Sequence, residues 1–279
     1  MTLANQFAAY TEWRTKLSSA IGQFKSWLTD NELSDAQIDL RLTQLLERLR
    51  EDRLNVAFVA EFSRGKSELI NAIFFAEYGS RMLPSSAGRT TMCPTELLFD
   101  ANKPSSIELL PIQTRSSNSG VTEYKRFPDE WKVVGLNIDE PDAMQDALRH
   151  VSETTRVMPD EARRLGFEVG EGEIDLYRVS DDGLVEIPRW RHAVINFPHP
   201  LLKQGLVILD TPGLNAIGAE PELTLSLLPN AHAVLFILAA DTGVTQSDLT
   251  IWKEHIGDGG TAKRGRMVVM NKIDGQWDE

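Results

Sequence analysis

Residues 56–75 read VAFVAEFSRGKSELINAIFF, and no other stretch so narrows what this 279-residue chain can fold into. The apolar run over residues 54–60 has the length and two-sided character of a fully buried strand. It gives way to Gly65-Lys66-Ser67 and then to a helical pattern from Lys66 to about Glu77. Ala60-Glu61-Phe62-Ser63-Arg64-Gly65-Lys66-Ser67 matches G-x-x-x-x-G-K-[ST] except at its first position, where alanine replaces glycine. A phosphate cradle needs a loop of backbone N–H groups followed by a helix whose N-terminus faces the anion. In that arrangement Gly65 permits close backbone approach, Lys66 supplies a cation to the β- and γ-phosphates, and Ser67 offers its hydroxyl to Mg²⁺. The methyl of Ala60 would be severe only at positive φ, so a working cradle predicts negative φ there.

The strand–helix rhythm continues down the chain. GLVILD (205–210), HAVLFILAA (232–240) and RMVVMN (266–271) are further apolar runs, with a helical stretch, TQSDLTIWKEHI (245–256), between the last two. Such alternation predicts an α/β fold, a mostly parallel sheet with helices on both faces. Between residues 100 and 200 the signals weaken. SSIELLPI predicts a strand, EPDAMQDALRHVSETT a helix and LVEIPRWRHAVINFP a strand pair, with QTRSSNSGVT and VGEGE as exposed loops.

Residues 1–53 obey a different period. Leu3, Phe7, Tyr10, Leu17, Ile21, Phe24 and Leu28 recur at three- and four-residue steps, with Trp13 and Trp27 beside them. After a break at TDNEL, Ser34 is placed to cap a second helix with Gln37 in capping-box position, and Ile38, Leu42, Leu45 and Leu49 form its stripe. Stripes this long and aromatic predict helices that pack on a partner beyond the segment.

Three later motifs follow the phosphate loop in order. ILDTPG puts Asp210 directly after a buried strand, where its carboxylate could hold Mg²⁺ through a water while the Gly213 N–H bonds the γ-phosphate. Asp-x-Pro-Gly also makes ordinary turns, so the strand before it and its place in the order give it weight. MNKID ends another apolar strand with Asn271, Lys272 and Asp274. An aspartate there accepts two hydrogen bonds from guanine N1 and N2, which adenine cannot supply, and a buried carboxylate left unpaired makes that choice steep. Asn271 would tie loops together, and the Lys272 stem would cover the base. GRTTMCPTEL (88–97) offers Thr90, Thr91 and Thr95 as threonines that could close on Mg²⁺ and the γ-phosphate; Thr91, three residues before Pro94, is favoured.

Composition removes several alternatives. A net charge of -12 argues against a nucleic-acid surface built on global charge. Cys93 is the only cysteine, so an intrachain disulfide and a Cys-rich zinc site are excluded, and a reducing cytoplasm fits. No apolar run reaches transmembrane length, and the first residues lack a signal-peptide pattern. The histidines at 150, 192, 199, 232 and 255 show no metal-ligand spacing.

With these motifs in hand, the chain resembles the dynamin-like GTPases, in particular their bacterial branch. The likeness rests on EFSRGKSELINAI, GRTTMCPTEL, LLKQGLVILDTPGLNAIGAEPELT, FILAADTGVTQSDLTIW and MNKID, and covers roughly residues 54–275. About 120 residues separate Thr91 from Asp210, which suits the enlarged GTPase domain of that family. The resemblance implies a P-loop GTPase domain over 54–279, preceded by neck or stalk helices over 1–53. It implies binding of GTP or GDP with Mg²⁺, with Ser67, Thr91 and Asp210 at the metal and Glu61 to Ser67, Asp210, Gly213, Asn271, Lys272 and Asp274 around the nucleotide. It further implies a homodimer across the GTPase domain and a cytoplasmic protein with peripheral contact at the inner membrane through segments absent here. Because the sequence stops just after MNKID, the GTPase domain is expected to be incomplete at its C-terminal end.

Hydrolysis in such a site rests on positioning and charge neutralisation. Leu214 follows Gly213 where a Ras-type enzyme has a water-orienting glutamine, and Phe62 stands where some dynamin relatives carry glutamine. Lys66, Thr91, Ser63 and Arg64 remain the catalytic candidates, with Arg64 as an internal cation at the phosphates. Two function classes compete: a GTP hydrolase coupling dimerisation to membrane remodelling, and a nucleotide-gated scaffold with negligible turnover. An Era-like GTPase serving RNA fits the acidity and the large insert poorly.

Overall fold

The computed structural model describes residues 3–31, 33–50, 53–61, 63–84, 93–117, 119–167, 169–170, 177–211, 228, 231–257 and 265–276. Two helices come first, α1 (Leu3–Asp30) and α2 (Ala36–Arg50). The cap of α2 lies one residue later than expected. Asp35, not Ser34, accepts the Ile38 backbone N–H, at 2.7 Å, because its carboxylate reaches the third amide of the first turn. Lys25 joins the pair by donating to Thr43 at 2.7 Å and meeting Asp39 at 3.1 Å. Tyr10, Trp13, Phe24 and Trp27 each remain about half exposed along α1. Tyr10 stacks on Trp13 and Phe24 on Trp27.

Strand β1 (Leu54–Ala60) lies inside the sheet because both its faces need cover. The phosphate-loop helix α3 (Lys66–Phe74) follows; it stops earlier than the sequence pattern suggested, and a separate 3₁₀ turn occupies Ala76–Tyr78. The middle of the chain then supplies β2 (Thr95–Leu98), β3 (Ser106–Pro111), α4 (Val121–Tyr124), β4 (Lys132–Gly135), α5 (Pro141–Arg149), β5 (Thr154–Val157), α6 (Pro159–Arg164), β6 (Val169–Gly170), β7 (Tyr177–Arg178), β8 (Val185–Pro188) and β9 (Trp190–Asn196). Last come β10 (Leu206–Asp210), β11 (Ala233–Ala239), α7 (Gln246–Ile251) with a π-turn over Trp252–Ile256, and β12 (Gly265–Asn271).

Eight strands form one sheet in the order β12-β11-β1-β10-β2-β9-β3-β4. The half carrying β12, β11, β1 and β10 is parallel throughout, and β2 runs parallel to β9, while β2–β10, β3–β9 and β3–β4 are antiparallel. Val56, Phe58 and Ala60 pack on one face with Ile70 and Phe74 of α3 and Met144 and Leu148 of α5. Ala57 and Val59 pack on the other with Val121 of α4 and Ile251 of α7. The fold is therefore the expected mostly parallel α/β sheet with helices on both faces, and the insert extends the sheet through β2, β3, β4 and β9.

Several local readings change in the insert. Of the stretches read as exposed loops, Val169–Gly170 of VGEGE forms β6 beside β7, and QTRSSNSGVT begins in a 3₁₀ turn and ends in α4 with Val121 buried. The strands read as a pair over 184–198 part company: β8 joins β5 in a two-stranded sheet, while β9 enters the main sheet between β2 and β3. The helix read over 140–155 ends at Arg149, and Thr154 and Thr155 belong to β5. A small separate core of Ile112, Val157, Leu165, Phe167, Tyr177, Val185 and Ile187 explains the changes at β5 and β8, which must turn toward it.

The main sheet also buries a charge cluster. Glu96 of β2 accepts from Lys125 at 2.6 and 2.9 Å and lies 3.0 Å from Nε2 of the fully buried His192. Burial pushes the Glu96 carboxyl up, but His192 and then Lys125 outweigh it and hold it at about 2, below its ordinary 4.5. A folded-state value below the unfolded one means stability that is present above about 4.5 and lost as pH falls toward 2. Each unit is worth about 1.4 kcal/mol, so a few kcal/mol should disappear across that window. Urea midpoints measured between pH 6 and pH 2.5 should fall more steeply for the parent than for Glu96→Gln. Parallel curves would show that Glu96 contributes nothing of the kind.

Candidate functional site

All four parallel strands β1, β10, β11 and β12 present their C-terminal ends to one rim of the sheet, and the loops leaving that rim carry the sequence motifs. In an open α/β sheet such a rim is where ligands bind. Ala60 ends β1 fully buried and is not among the described residues with positive φ, so its methyl meets no backbone strain. The left-handed positions are instead Ser63 (φ 61°) and Gly65 (φ 83°). Gly65 is required twice over: a Cβ added there would lie 2.4 Å from the Asn271 amide nitrogen, besides occupying an unfavourable φ.

Lys66 and Ser67 open α3 and are both buried, with Gly65 as the residue before the first turn. The first backbone N–H groups of a helix have no intrahelical acceptor, so an anion at this end is favoured by both hydrogen bonding and dipole. The Lys66 ammonium pairs with the carboxylate of Asp210 at the end of β10, and both side chains are nearly buried. Thr211, completely buried, donates its hydroxyl to the Phe58 carbonyl at 2.9 Å and so pins the start of the Asp210 loop to β1. That pin was invisible in the sequence, where Thr211 read as the unspecified second residue of Asp-x-Pro-Gly.

The guanine-type motif reaches the phosphate loop directly. Asn271 donates from Nδ2 to the Arg64 carbonyl at 2.9 Å, the loop tie its position suggested. Lys272 adopts φ 56° and its ammonium meets Asp241 at 2.9 Å. That contact, with help from Thr242, holds the Asp241 carboxyl below its ordinary value. Asp274 lies exposed in the turn after β12. Glu61 and Arg64 face away from this rim contact into a buried cluster: Arg64 is 3% exposed and its Nη2 donates to Glu61 at 2.7 Å and to Asp248 at 3.0 Å. Its guanidinium charge is thus already met by two carboxylates, which differs from the internal cation at the phosphates that the sequence suggested.

Thr95 also departs from its candidate role. It begins β2 opposite Asp210, is buried, and donates its hydroxyl to the Cys93 carbonyl at 3.2 Å, so it is held as a strand residue. Phe62, Thr90, Thr91, Gly213 and Leu214 lie outside the described residues.

Comparison with known proteins gives this geometry a family. The model of the dynamin family matches residues 56–273. A bacterial dynamin-like protein of Nostoc punctiforme is 23% identical over 238 residues, covering 85% of this chain and 27% of its own length. The isoniazid-induced protein IniA of Mycobacterium tuberculosis is 37% identical over 82 residues, 26% of this chain and 12% of IniA. Solved structures of an oligomerised bacterial dynamin pair, described as sensing and tethering membranes over long range, overlap 86% and 91% of this chain with TM-scores of 0.43 and 0.45 at 19% and 16% identity. The chain spans about a quarter of the length of the Nostoc relative. A family match that starts within β1 and runs through Asn271 and Lys272 at the end of β12, so taking in Gly65-Lys66-Ser67 and Asp210, leaves one conclusion: the chain belongs to the dynamin family.

Proposed function

We propose that residues 54–279 are the greater part of a dynamin-type GTPase domain that binds GTP with Mg²⁺ and hydrolyses it, and that residues 1–53 contribute to a helical neck. The observation that carries this reading is the convergence of Gly65-Lys66-Ser67, Asp210 and Asn271 on one rim of the parallel half-sheet. Family membership supports a GTPase-type, guanine-nucleotide-binding domain. In this reading the α3 N-terminus and Lys66 take the phosphates, and Asp274 takes the base edge. Thr91 and the Gly213 N–H would complete the γ-phosphate contacts. The hydroxyl of Ser67 and the carboxylate of Asp210 are hard oxygen donors suited to Mg²⁺, which when bound neutralises charge on the β- and γ-phosphates.

Sensing and tethering of membranes are described for the solved bacterial dynamin pair. For this chain we propose nucleotide-dependent homodimerisation across the rim and peripheral, cytoplasmic membrane contact through other parts of the full protein. The described residues contain no helix long and apolar enough to cross a membrane. The half-exposed Trp13 and Trp27 support a neck that packs on further helices. A second reading, a nucleotide-gated scaffold with negligible turnover, is favoured by the neutralisation of Arg64 by Glu61 and Asp248.

One set of measurements separates these readings. Titration of the full-length protein with a fluorescent guanine nucleotide and Mg²⁺ should give saturable binding that GTP competes and ATP does not. Turnover per molecule should then rise with protein concentration or on liposomes. Binding without such turnover selects the scaffold, and ATP competing as well as GTP overturns the guanine assignment.

A further inference from the structure

The phosphate loop shares a buried charge cluster with two residues outside the nucleotide motifs, Thr245 and Asp248. Arg64 Nη2 bridges Glu61 Oε2 and Asp248 Oδ2, and the Asp248 side chain is fully buried. Asp248 Oδ2 also accepts the Thr245 backbone N–H at 2.9 Å, while the Thr245 hydroxyl accepts the Asp248 N–H at 3.2 Å and closes a capping box on α7. The same hydroxyl lies 3.0 Å from Glu61 Oε2. Capping α7 does not account for this arrangement. A cap needs only the Thr245 exchange, yet Asp248 spends its burial on a guanidinium 184 residues away in the chain. Both Asp248 Oδ1 and Arg64 Nε remain buried without a hydrogen-bond partner, a desolvation cost that a simple cap would avoid.

We propose that Asp248 is a positioning residue of the nucleotide site, acting through Arg64; the proposal rests on the GTP-binding reading above. Arg64 directly precedes Gly65-Lys66-Ser67, and its carbonyl is held by Asn271 at 2.9 Å. Its side chain is held by Asp248 on α7. The loop is therefore clamped from both sides, by the end of β12 through its main chain and by α7 through its side chain. With Ser63 in the left-handed region, the loop conformation costs energy that local sequence does not repay, and the clamp holds it there. The two possible roles of Asp248 differ in sign. A buried carboxylate acting only by its charge would repel a polyphosphate, so removing it would tighten binding. A carboxylate that positions the loop would, on removal, weaken binding by leaving the cradle unformed for part of the time.

The test is a double-mutant cycle on nucleotide affinity, read with a fluorescent GTP analogue on the full-length protein. Asp248→Asn should weaken binding about tenfold in the parent and less than about twofold in an Arg64→Met background. Unchanged or tighter binding in Asp248→Asn overturns the proposal, and so does an equal loss in both backgrounds, which would mark a capping effect independent of Arg64. Should Asp248→Asn fail to fold, the combined change Arg64→Met, Asp248→Leu and Glu61→Gln carries the test, since replacing a whole buried ion cluster by uncharged groups is often neutral or stabilising. That variant should bind GTP more weakly than the parent, and parental affinity would overturn the idea. Absence of binding by the parent itself would instead overturn the GTP reading.

Discussion

Replacing Lys66 with alanine should weaken GTP binding by at least about a hundredfold. The ammonium sits at the first position of α3, nearly buried, and pairs with Asp210 at the end of the adjacent strand β10. From there the same side chain can meet both β- and γ-phosphate oxygens, and each charge-assisted hydrogen bond lost in a water-poor site costs about 1.5–3 kcal/mol. Two such bonds correspond to roughly two to four orders of magnitude in affinity. The substitution has a second consequence, because Asp210 loses its lysine partner in a nearly buried position. The alanine variant should therefore also melt earlier, and lost binding could be mistaken for lost folding. Lys66→Met combined with Asp210→Asn resolves this. It removes both charges together, so the melting temperature should recover while nucleotide binding stays weakened. Affinity within fivefold of the parent for Lys66→Ala would remove Lys66 from the phosphate site.

How much of this was legible depended on how far apart the interacting residues lie. The phosphate loop is local: strand, turn glycine, lysine and helix start fall within eight residues, so pattern alone located β1, Gly65 and α3. The apolar runs that became β10 and β11 were legible for the same reason, since a strand buried on both faces announces itself without reference to its neighbours. The run that became β12 is instead an edge strand, with Met267, Val268 and Met270 about half exposed. The α2 cap was misplaced by one residue because Ser34 and Asp35 are both good capping residues, and only the backbone decides which of them faces the Ile38 N–H.

Long-range pairing was not legible. Glu96 sits among Thr95, Leu97 and Leu98 in a strand buried throughout, and nothing beside it in sequence says that His192 and Lys125 will meet it. Arg64 read as an internal cation at the phosphates; pairing with nearby Glu61 could be weighed from the sequence, but Asp248, 184 residues away, could not. Strands β8 and β9 were each legible, but their separation into two sheets depends on the small core around Ile187 and Phe167, which forms only once α6 and β5 are in place. In each case the residue type was correct and its partner decided the role.

The guanine reading leads to the other large effect. Asp274→Asn should lower GTP affinity by about a hundredfold or more while raising affinity for the xanthine nucleotide XTP. The argument is hydrogen-bond complementarity. A carboxylate offers two acceptors to the two donors of guanine, its N1–H and its 2-amino group. Asparagine offers one acceptor and one donor, so its amide N–H₂ confronts the 2-amino group, and a donor left facing a donor costs a few kcal/mol on desolvation. Xanthine carries a carbonyl at C2 beside the same N1–H, and that pattern is the one asparagine satisfies. Because Asp274 is exposed in the turn after β12, the exchange should leave the melting temperature unchanged, unlike Lys66→Ala. Neighbouring Asn271 and Lys272 stay tied to Arg64 and Asp241, so the turn that presents residue 274 is held whichever side chain it carries. Competition titrations with GTP, XTP and ATP against one labelled nucleotide give the answer directly. A reversal of the GTP-to-XTP preference assigns the base edge to residue 274, whereas equal loss of both nucleotides would mean that Asp274 supports the loop and reads no base.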